Sequence, residues 1–311
     1  METLKSLLIT GGRGFVGRHL LEKAWVQNYD KVFCLCRDEP QRGNSNVAEN
    51  LEFLRASLPF GLEPYEQKMS GTEAIVHLAA VTGKARRDQY FDVNVEGTRA
   101  LTEMSRRLGI SKFLYVSSIA ARFPDKNHYY YAQSKEQAEE IVRSSGLHYA
   151  ILRPTIVLGR GAQVWKGLSR LARFPIIPIF GDGRTMIQPI WVDDLADFII
   201  DLLKTDRFEN ETFEVGGAES ITIEEFLVRA SRLLRGSEPR TFHLPLDLFR
   251  KALSWLEPLL LPILPLTAGQ LASFRFDGRP QPNQLAETRS GQLPLRTIDQ
   301  MLAVLCAHDE K

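Results

Sequence analysis

The stretch Leu7-Leu8-Ile9-Thr10-Gly11-Gly12-Arg13-Gly14-Phe15-Val16-Gly17 constrains the fold more than any other part of the chain. A short apolar run ends at Thr10, and glycines follow at the spacing G-x-x-G-x-x-G. Such a run reads as a buried parallel strand, and Phe15 and Val16 with His19, Leu20 and Leu21 begin a helix. Gly11 suits the tight turn off the strand. Gly14 lets a pyrophosphate approach bare backbone, and Gly17 lets the helix sit close to the strand. The helix N-terminus then offers N–H groups and partial positive charge to phosphates. Any strand–turn–helix can carry glycines. The position directly after a strand, with a second strand at 31–36, is what points to a dinucleotide site.

Strand and helix alternate from there. The patterns predict strands over 31–37, 51–54, 74–80, 112–118 and 149–153, the last ended by Pro154, and helices over 88–108 and 131–144. The polar, turn-rich stretch 38–50 reads as loop. This alternation specifies an α/β fold, a Rossmann-type doubly wound parallel sheet with right-handed crossovers. We assign the dinucleotide-binding core to 1–160. Past Gly159 the pattern loosens: Pro175, Pro178 and Pro189 interrupt it, and helices resume at 192–203 and 222–234. Residues 161–311 read as a smaller, mostly helical substrate lobe, interleaved with the end of the sheet and carrying an apolar helical tail.

Composition narrows the function. The net charge of +1 gives no nucleic-acid footprint. Cys34 and Cys36 share one face of a strand, Cys306 stands apart, and no histidine lies at ligand spacing, so buried small residues are expected and no metal. Nothing before the first strand has the length of a signal peptide, which favours a reducing, cytoplasmic setting. The apolar stretch 246–266 fails as a membrane span, because Arg250, Lys251 and Glu257 interrupt it and Pro258, Pro262 and Pro265 divide it. Ordinary packing is the first expectation for it. A lid, or a peripheral membrane or protein contact, is the second.

Tyr131 and Lys135 lie four residues apart, one turn of a helix, and so on one face. A phenol with a pKa of about 10 is a poor base at neutral pH, and a nearby ammonium favours its ionised form. Such pairs are common on solvated helices. Here Ser117 and Ser118 also end a strand at the carboxyl edge, where open α/β sheets bind ligands. One of these serines could hold a substrate oxygen while Tyr131 moves the proton. His77, in a core strand, is expected to be a satisfied buried histidine. Asp193 and Asp194, before an apolar helix, are expected to cap it.

With these motifs in place, the sequence resembles the short-chain dehydrogenase/reductase superfamily in its extended branch of epimerases and dehydratases. The likeness runs through the glycine stretch, His77-Leu78-Ala79-Ala80, Asn94-Val95-Glu96-Gly97-Thr98, Val116-Ser117-Ser118, Tyr131 to Lys135, and Leu152-Arg153-Pro154. It continues in Gly181-Asp182-Gly183, Val192-Asp193-Asp194-Leu195-Ala196 and Phe213-Glu214-Val215-Gly216-Gly217. The resemblance implies that Ser118 orients the substrate oxygen, Tyr131 is the acid/base, Lys135 holds the ribose, and Asn94 supports the lysine through water. It places Gly11, Gly12, Arg13, Gly14, Phe15, Val16 and Gly17 on the cofactor, with Leu78, Ala79 and Ala80 flanking the adenosine. Pro154 and Thr155 would flank the nicotinamide, and Thr82 and Ser117 complete the cofactor set. A homodimer through the helices at 88–108 and 131–144 is implied as well. The segment 244–298 is similar to the C-terminal region of the NADPH-binding accessory subunit of respiratory complex I and its bacterial relatives.

Two departures sharpen the expectation. Where NAD-preferring members end the second strand in an acidic residue, this chain has Cys36 followed by Arg37. A guanidinium can grip a 2′-phosphate, and Arg13 could add a second cation, so NADP(H) is favoured over NAD(H), with Asp38 the residue that speaks against it. Nucleotide-sugar enzymes of the superfamily carry an arginine where this chain has Ile187, and Arg184 reads as solvated. The leading expectation is therefore NADP(H)-linked hydride transfer at a carbonyl or secondary alcohol of an apolar or mixed small molecule. A redox-neutral nucleotide-sugar epimerase or dehydratase is the second reading, and a non-catalytic NADPH-binding structural or assembly protein the third.

Overall fold

A computed structural model describes residues 5–23, 26–38, 49–260, 267–285 and 294–308. In chain order the first half consists of β1 (Ser6–Thr10), α1 (Phe15–Leu21), β2 (Lys31–Cys36), β3 (Leu51–Arg55), α2 (Glu66–Met69), β4 (Thr72–His77), α3 (Arg87–Tyr90), α4 (Gly97–Leu108), β5 (Lys112–Val116), α5 (Tyr130–Arg143) and β6 (His148–Pro154). The second half adds β7 (Val157–Leu158), α6 (Gln163–Ala172), β8 (Ile176–Phe180), β9 (Met186–Ile187), β10 (Ile190–Trp191), α7 (Val192–Lys204), β11 (Glu211–Val215), β12 (Ile221–Thr222), α8 (Ile223–Arg235), β13 (Arg240–Leu244), α9 (Leu246–Leu260), α10 (Ala268–Ala272) and α11 (Ile298–His308).

Seven strands form one parallel sheet in the order β11-β6-β5-β4-β1-β2-β3. Every residue of β1 is buried, as expected for a central strand covered on both faces. Leu7 and Ile9 join one core with Leu20, Phe198 and Phe213, while Leu8 joins the other with Leu101, Met104, Phe113 and Val142. The two-residue period of the strand thus divides its side chains between two helical layers.

Three details depart from the sequence expectations. The fourth strand stops at His77 rather than running to 80. There Leu78 N–H bonds to the Thr10 carbonyl and Ala79 N–H to Thr10 Oγ1, which carries the chain over the glycine turn. The helix expected over 88–108 contains a six-residue π-helical segment, Phe91–Glu96, between α3 and α4. The lobe is mostly helical as expected, with α6, α8, α9, α10 and α11, but it also holds the two-stranded pairs β8–β13, β9–β12 and β7–β10. Its core gathers Trp165, Ile179, Ile187, Phe226 and Met301.

The lobe and the sheet share chain. α7 sends Phe198 and Ile199 into the sheet's core, and β11 is the seventh strand. Residues 283–285 return to the same edge: Gln284 Oε1 accepts from Glu214 N–H, Asn283 brackets Gly216, and Leu285 enters the core. Of the apolar stretch 246–266, residues 246–260 form α9, and 261–266 lie outside the described residues. Among the described residues no helix is long and apolar enough to cross a membrane.

Candidate active site

The glycine turn joins β1 to α1 at the carboxyl edge of the sheet. Gly11 has φ +70°, and a Cβ there would meet Ala79 N at 2.6 Å. A Cβ at Gly17 would fall 2.3 Å from the Gly11 carbonyl oxygen, so helix and turn can touch only without one. Gly14 is exposed, its N–H bonded to the Gly11 carbonyl at 2.8 Å, and it presents bare backbone to a ligand. Phe15 and Val16 point back into the protein, against the lobe core and the sheet core respectively. Gly12 is buried, its Cα hydrogen facing Cys34 Sγ.

At the end of β2 the Arg13 guanidinium donates to the Asp38 carbonyl at 2.8 Å, and Cys36 Sγ donates to the same oxygen. Arg37 and Asp38 are both exposed there. The Arg13 guanidinium thus lies at the end of β2, where Arg37 is the next residue in the chain. Cys34, Cys36 and Cys306 are buried, and none of them is in a disulfide. No His/Cys/Asp/Glu group suited to a metal ion occurs among the described residues.

Ser117 and Ser118 follow β5 and, by strand alternation, face opposite ways. Ser117 Oγ is buried and donates to Glu139 Oε1 at 2.6 Å. Ser118 turns to the other side, toward the Tyr131 phenol, and accepts from Ala120 N–H at 3.2 Å. Burial raises the Tyr131 phenol well above its usual range, Tyr129 and Tyr90 push it further, and Ser118 works against them. The three tyrosine rings pack with centroids 6.1 and 6.3 Å from Tyr131.

Lys135 is buried. Its ammonium donates to Val116 O at 2.7 Å and to the Tyr115 hydroxyl at 3.1 Å, which accounts for two of its three N–H donors. Burial pulls its pKa down to about 7, against the opposing pull of Glu139. Tyr115 lies beside Thr98, whose Oγ1 donates to the Asn94 carbonyl at 2.6 Å. The Tyr115 and Thr98 side chains thus stand between the lysine and Asn94. Asn94 lies on the π segment, a common distortion at functional sites. Its amide bonds Ser134 Oγ at 2.9 Å and both backbone groups of Val81.

The same Thr98 hydroxyl fixes His77. Because its proton goes to Asn94 O, it must accept from His77 Nε2 at 3.0 Å, leaving Nδ1 to accept from Thr10 Oγ1 at 2.6 Å. The ring is neutral. Burial holds its pKa down to about 3, and Lys135 adds to the effect.

Glu139, one turn past Lys135, anchors the helix from behind. It takes a two-pronged bond from Arg153 at 2.9 and 2.6 Å and another from Arg143 at 2.7 Å. Burial opposes its charge, but Arg153, Ser117 and Arg143 more than offset this and keep it ionised. Pro154 and Thr155 follow Arg153 at the end of β6, with Thr155 Oγ1 donating to the Gln188 carbonyl at 2.5 Å. Leu78, Ala79 and Ala80 line the strip beside the glycine turn, half-buried, and Thr82 is exposed beyond them. Asp193 caps nothing: it sits in the first turn of α7 and accepts from Trp191 Nε1 and bonds His19, both at 2.9 Å.

Sequence reasoning missed Tyr115, Thr98 and Glu139. The two helical ones lie four residues after Asn94 and Lys135, the spacing that stacks side chains on one face. That was the available signal.

This geometry agrees with the comparisons to known proteins. Residues 7–216 match the family model described as the NAD dependent epimerase/dehydratase family. A ceramide reductase of Caulobacter vibrioides is 31% identical over 241 residues, 76% of this chain and 73% of that protein. Subunit 9 of the NADH dehydrogenase 1 alpha subcomplex of Dictyostelium discoideum is 24% identical over 222 residues, 70% of this chain and 61% of that protein. Among solved structures, a dTDP-glucose 4,6-dehydratase of Streptomyces venezuelae with NAD bound superposes with a TM-score of 0.71 at 19% identity, covering 98% of this chain and 97% of that one. A glycine turn, a serine–tyrosine pair and a buried lysine on one sheet edge, with a family match across two-thirds of the sequence, make this an enzyme of the short-chain dehydrogenase/reductase type that belongs to the NAD-dependent epimerase/dehydratase family.

Proposed function

We propose that the protein is an NADP(H)-linked oxidoreductase acting on a carbonyl or secondary alcohol of an apolar or mixed small molecule. The observation that carries this reading is the Ser118 hydroxyl beside the buried Tyr131 phenol at the carboxyl end of β5, where it counteracts the rise in the phenol's pKa. The bare, exposed Gly14 and the close-packed Gly11 and Gly17 fit a dinucleotide pyrophosphate, and Arg13 and Arg37 fit a 2′-phosphate. When bound, the nicotinamide supplies or accepts the hydride. Ser118 then holds the substrate oxygen, and Tyr131, protonated at neutral pH, delivers the proton to that oxygen during reduction. In this reading Lys135, with one N–H donor left over, holds the ribose, and Leu78, Ala79, Ala80, Pro154 and Thr155 flank the rings.

The substrate class rests on Ile187. It is buried in the lobe core and paired with Ile221, so no cation stands at that position, and Arg184 is exposed. A reductase of ceramide, an apolar substrate, is among the relatives. A redox-neutral epimerase or dehydratase is the second reading, favoured by the family match and by NAD in the dehydratase neighbour.

The test is to denature freshly purified protein and identify any retained dinucleotide by mass spectrometry, then titrate NADPH and NADH. We expect little retained cofactor, tighter binding of NADPH, and loss of that preference in Arg37→Ala. Stoichiometric retained NAD would sink the assignment and favour the redox-neutral reading. Tightly held NADPH with no turnover across carbonyl substrates would point to a structural role.

A further inference from the structure

Helix α9 is inside out. Its inner stripe carries charge: Arg250 donates to Asp125 Oδ2 and to the Asn127 carbonyl, both at 2.8 Å, and holds the Asp125 carboxyl down to about 2. Glu257, half-buried on the same stripe, is raised by burial and acts on the Tyr90 hydroxyl beside Tyr131. The outer stripe, Leu248, Ala252 and Trp255 at helical spacing, is apolar apart from Lys251. Trp255 is 78% exposed and Leu248 64%. A surface helix in water buries its apolar stripe and exposes its charges. This one does the reverse.

The apolar surface continues beyond the helix. Phe249 packs edge-on against Phe180 at the end of β8, which brings α9 next to the β8–β13 pair. On that pair Ile176 and Phe242 stay exposed, with Phe174 just before β8. Seven of the ten large apolar side chains exposed among the described residues belong to α9, to the β8–β13 pair or to the residue just before β8, too many for random scatter. Cations are interleaved with them: Lys251 on the outer stripe, Arg240 opposite Ile176 in the register, and Arg235, which donates to the Phe174 carbonyl. The acidic residue on the outer side of α9, Asp247, is paired with Arg275.

We propose that this surface seats the protein on a lipid bilayer bearing anionic headgroups. Apolar side chains ringed by arginine and lysine complement such a surface, where rings and aliphatic tips enter the acyl boundary and the cations meet phosphate. The inner stripe of the same helix borders the tyrosine cluster, so an apolar substrate would reach the site from the lipid phase. That last link rests on the function proposed above, whereas lipid binding itself does not.

The test uses the full chain and vesicles of phosphatidylcholine alone or mixed with phosphatidylglycerol. Cosedimentation and brominated-lipid quenching of tryptophan fluorescence read the binding. We expect binding to the mixed vesicles, quenching that Trp255→Phe removes, weakening with salt, and at least about a tenfold loss in Leu248→Ser/Trp255→Ser. NADPH affinity and thermal stability of the double variant should match the parent, which separates a lost seat from a lost fold. Failure to bind the mixed vesicles, or binding that ignores the double substitution, would overturn the proposal. So would a dimer that dissociates on Trp255→Ser, because a second copy would then cover the face. Vesicle binding without any dinucleotide affinity would leave the seat standing and remove the proposed oxidoreductase.

Discussion

Tyr131 and His77 show how far single residues can be read. The offset to Lys135 singled out the tyrosine, and we expect Tyr131→Phe to lower turnover on a carbonyl substrate by about 10²–10⁴-fold, with NADPH affinity in direct titration nearly unchanged. Equal turnover would remove it from the chemistry. His77 was legible as a satisfied core residue because it lies in an apolar strand, but its partners were not, since Thr10 and Thr98 come from other elements. Its neutral state sets a pH dependence. Above about 6.5 the ring is neutral in folded and unfolded chains alike, so its full contribution is present. As pH falls toward about 3, the unfolded chain takes a proton that the folded one refuses, and stability drops by up to about 1.4 kcal/mol per pH unit. Urea unfolding from pH 7 to pH 4.5 should therefore show the gap between wild type and His77→Gln narrowing with acid. A constant gap would contradict the neutral, buried ring.

At the scale of elements, α5 is both the carrier of the tyrosine and a strut. Glu139 ties it to Ser117 after β5 and to Arg153 on β6, and through Arg153 to Glu214 on β11. Glu139→Gln leaves the half-buried Arg153 guanidinium with only the longer contact to Glu214 at 3.4 Å, which costs about 3 kcal/mol. Denaturant unfolding should show that loss, with Glu139→Asp intermediate. A loss below about 1 kcal/mol, the range of surface pairs, would mean that the pair is solvated. The strands and most helices of the core were legible because their periods differ. The function of Glu139 was not: a glutamate one turn past a lysine reads as an ordinary solvated pair. Ser117 and Ser118 are the instructive case, for the two-residue period already separates their faces. The π segment left no mark in the sequence, since it inserts its extra residue without changing composition.

The whole molecule is held together by its return. The division of the sequence near residue 160 marks where alternation fades, yet α7, β11 and residues 283–285 all contribute to the core of the sheet. Composition cannot reveal such interleaving, because each short piece is unremarkable alone and only the tertiary arrangement adds them up. We expect Asn283→Ala/Gln284→Ala to open the β11 edge, seen as faster amide exchange at Glu214 and Gly216 and greater aggregation on heating, with exchange in β1 unchanged. Uniform change across the sheet would show that the strap is not local. The arrangement also bears on how the chain is made. Gly216 and Asn283 are separated by 67 positions, so a ribosome adding about 5–20 residues per second leaves the seventh strand emergent but uncovered for several seconds. During that interval the nascent protein carries an open sheet edge, the kind of surface that holdase chaperones bind and that neighbouring nascent chains on a polysome can pair with.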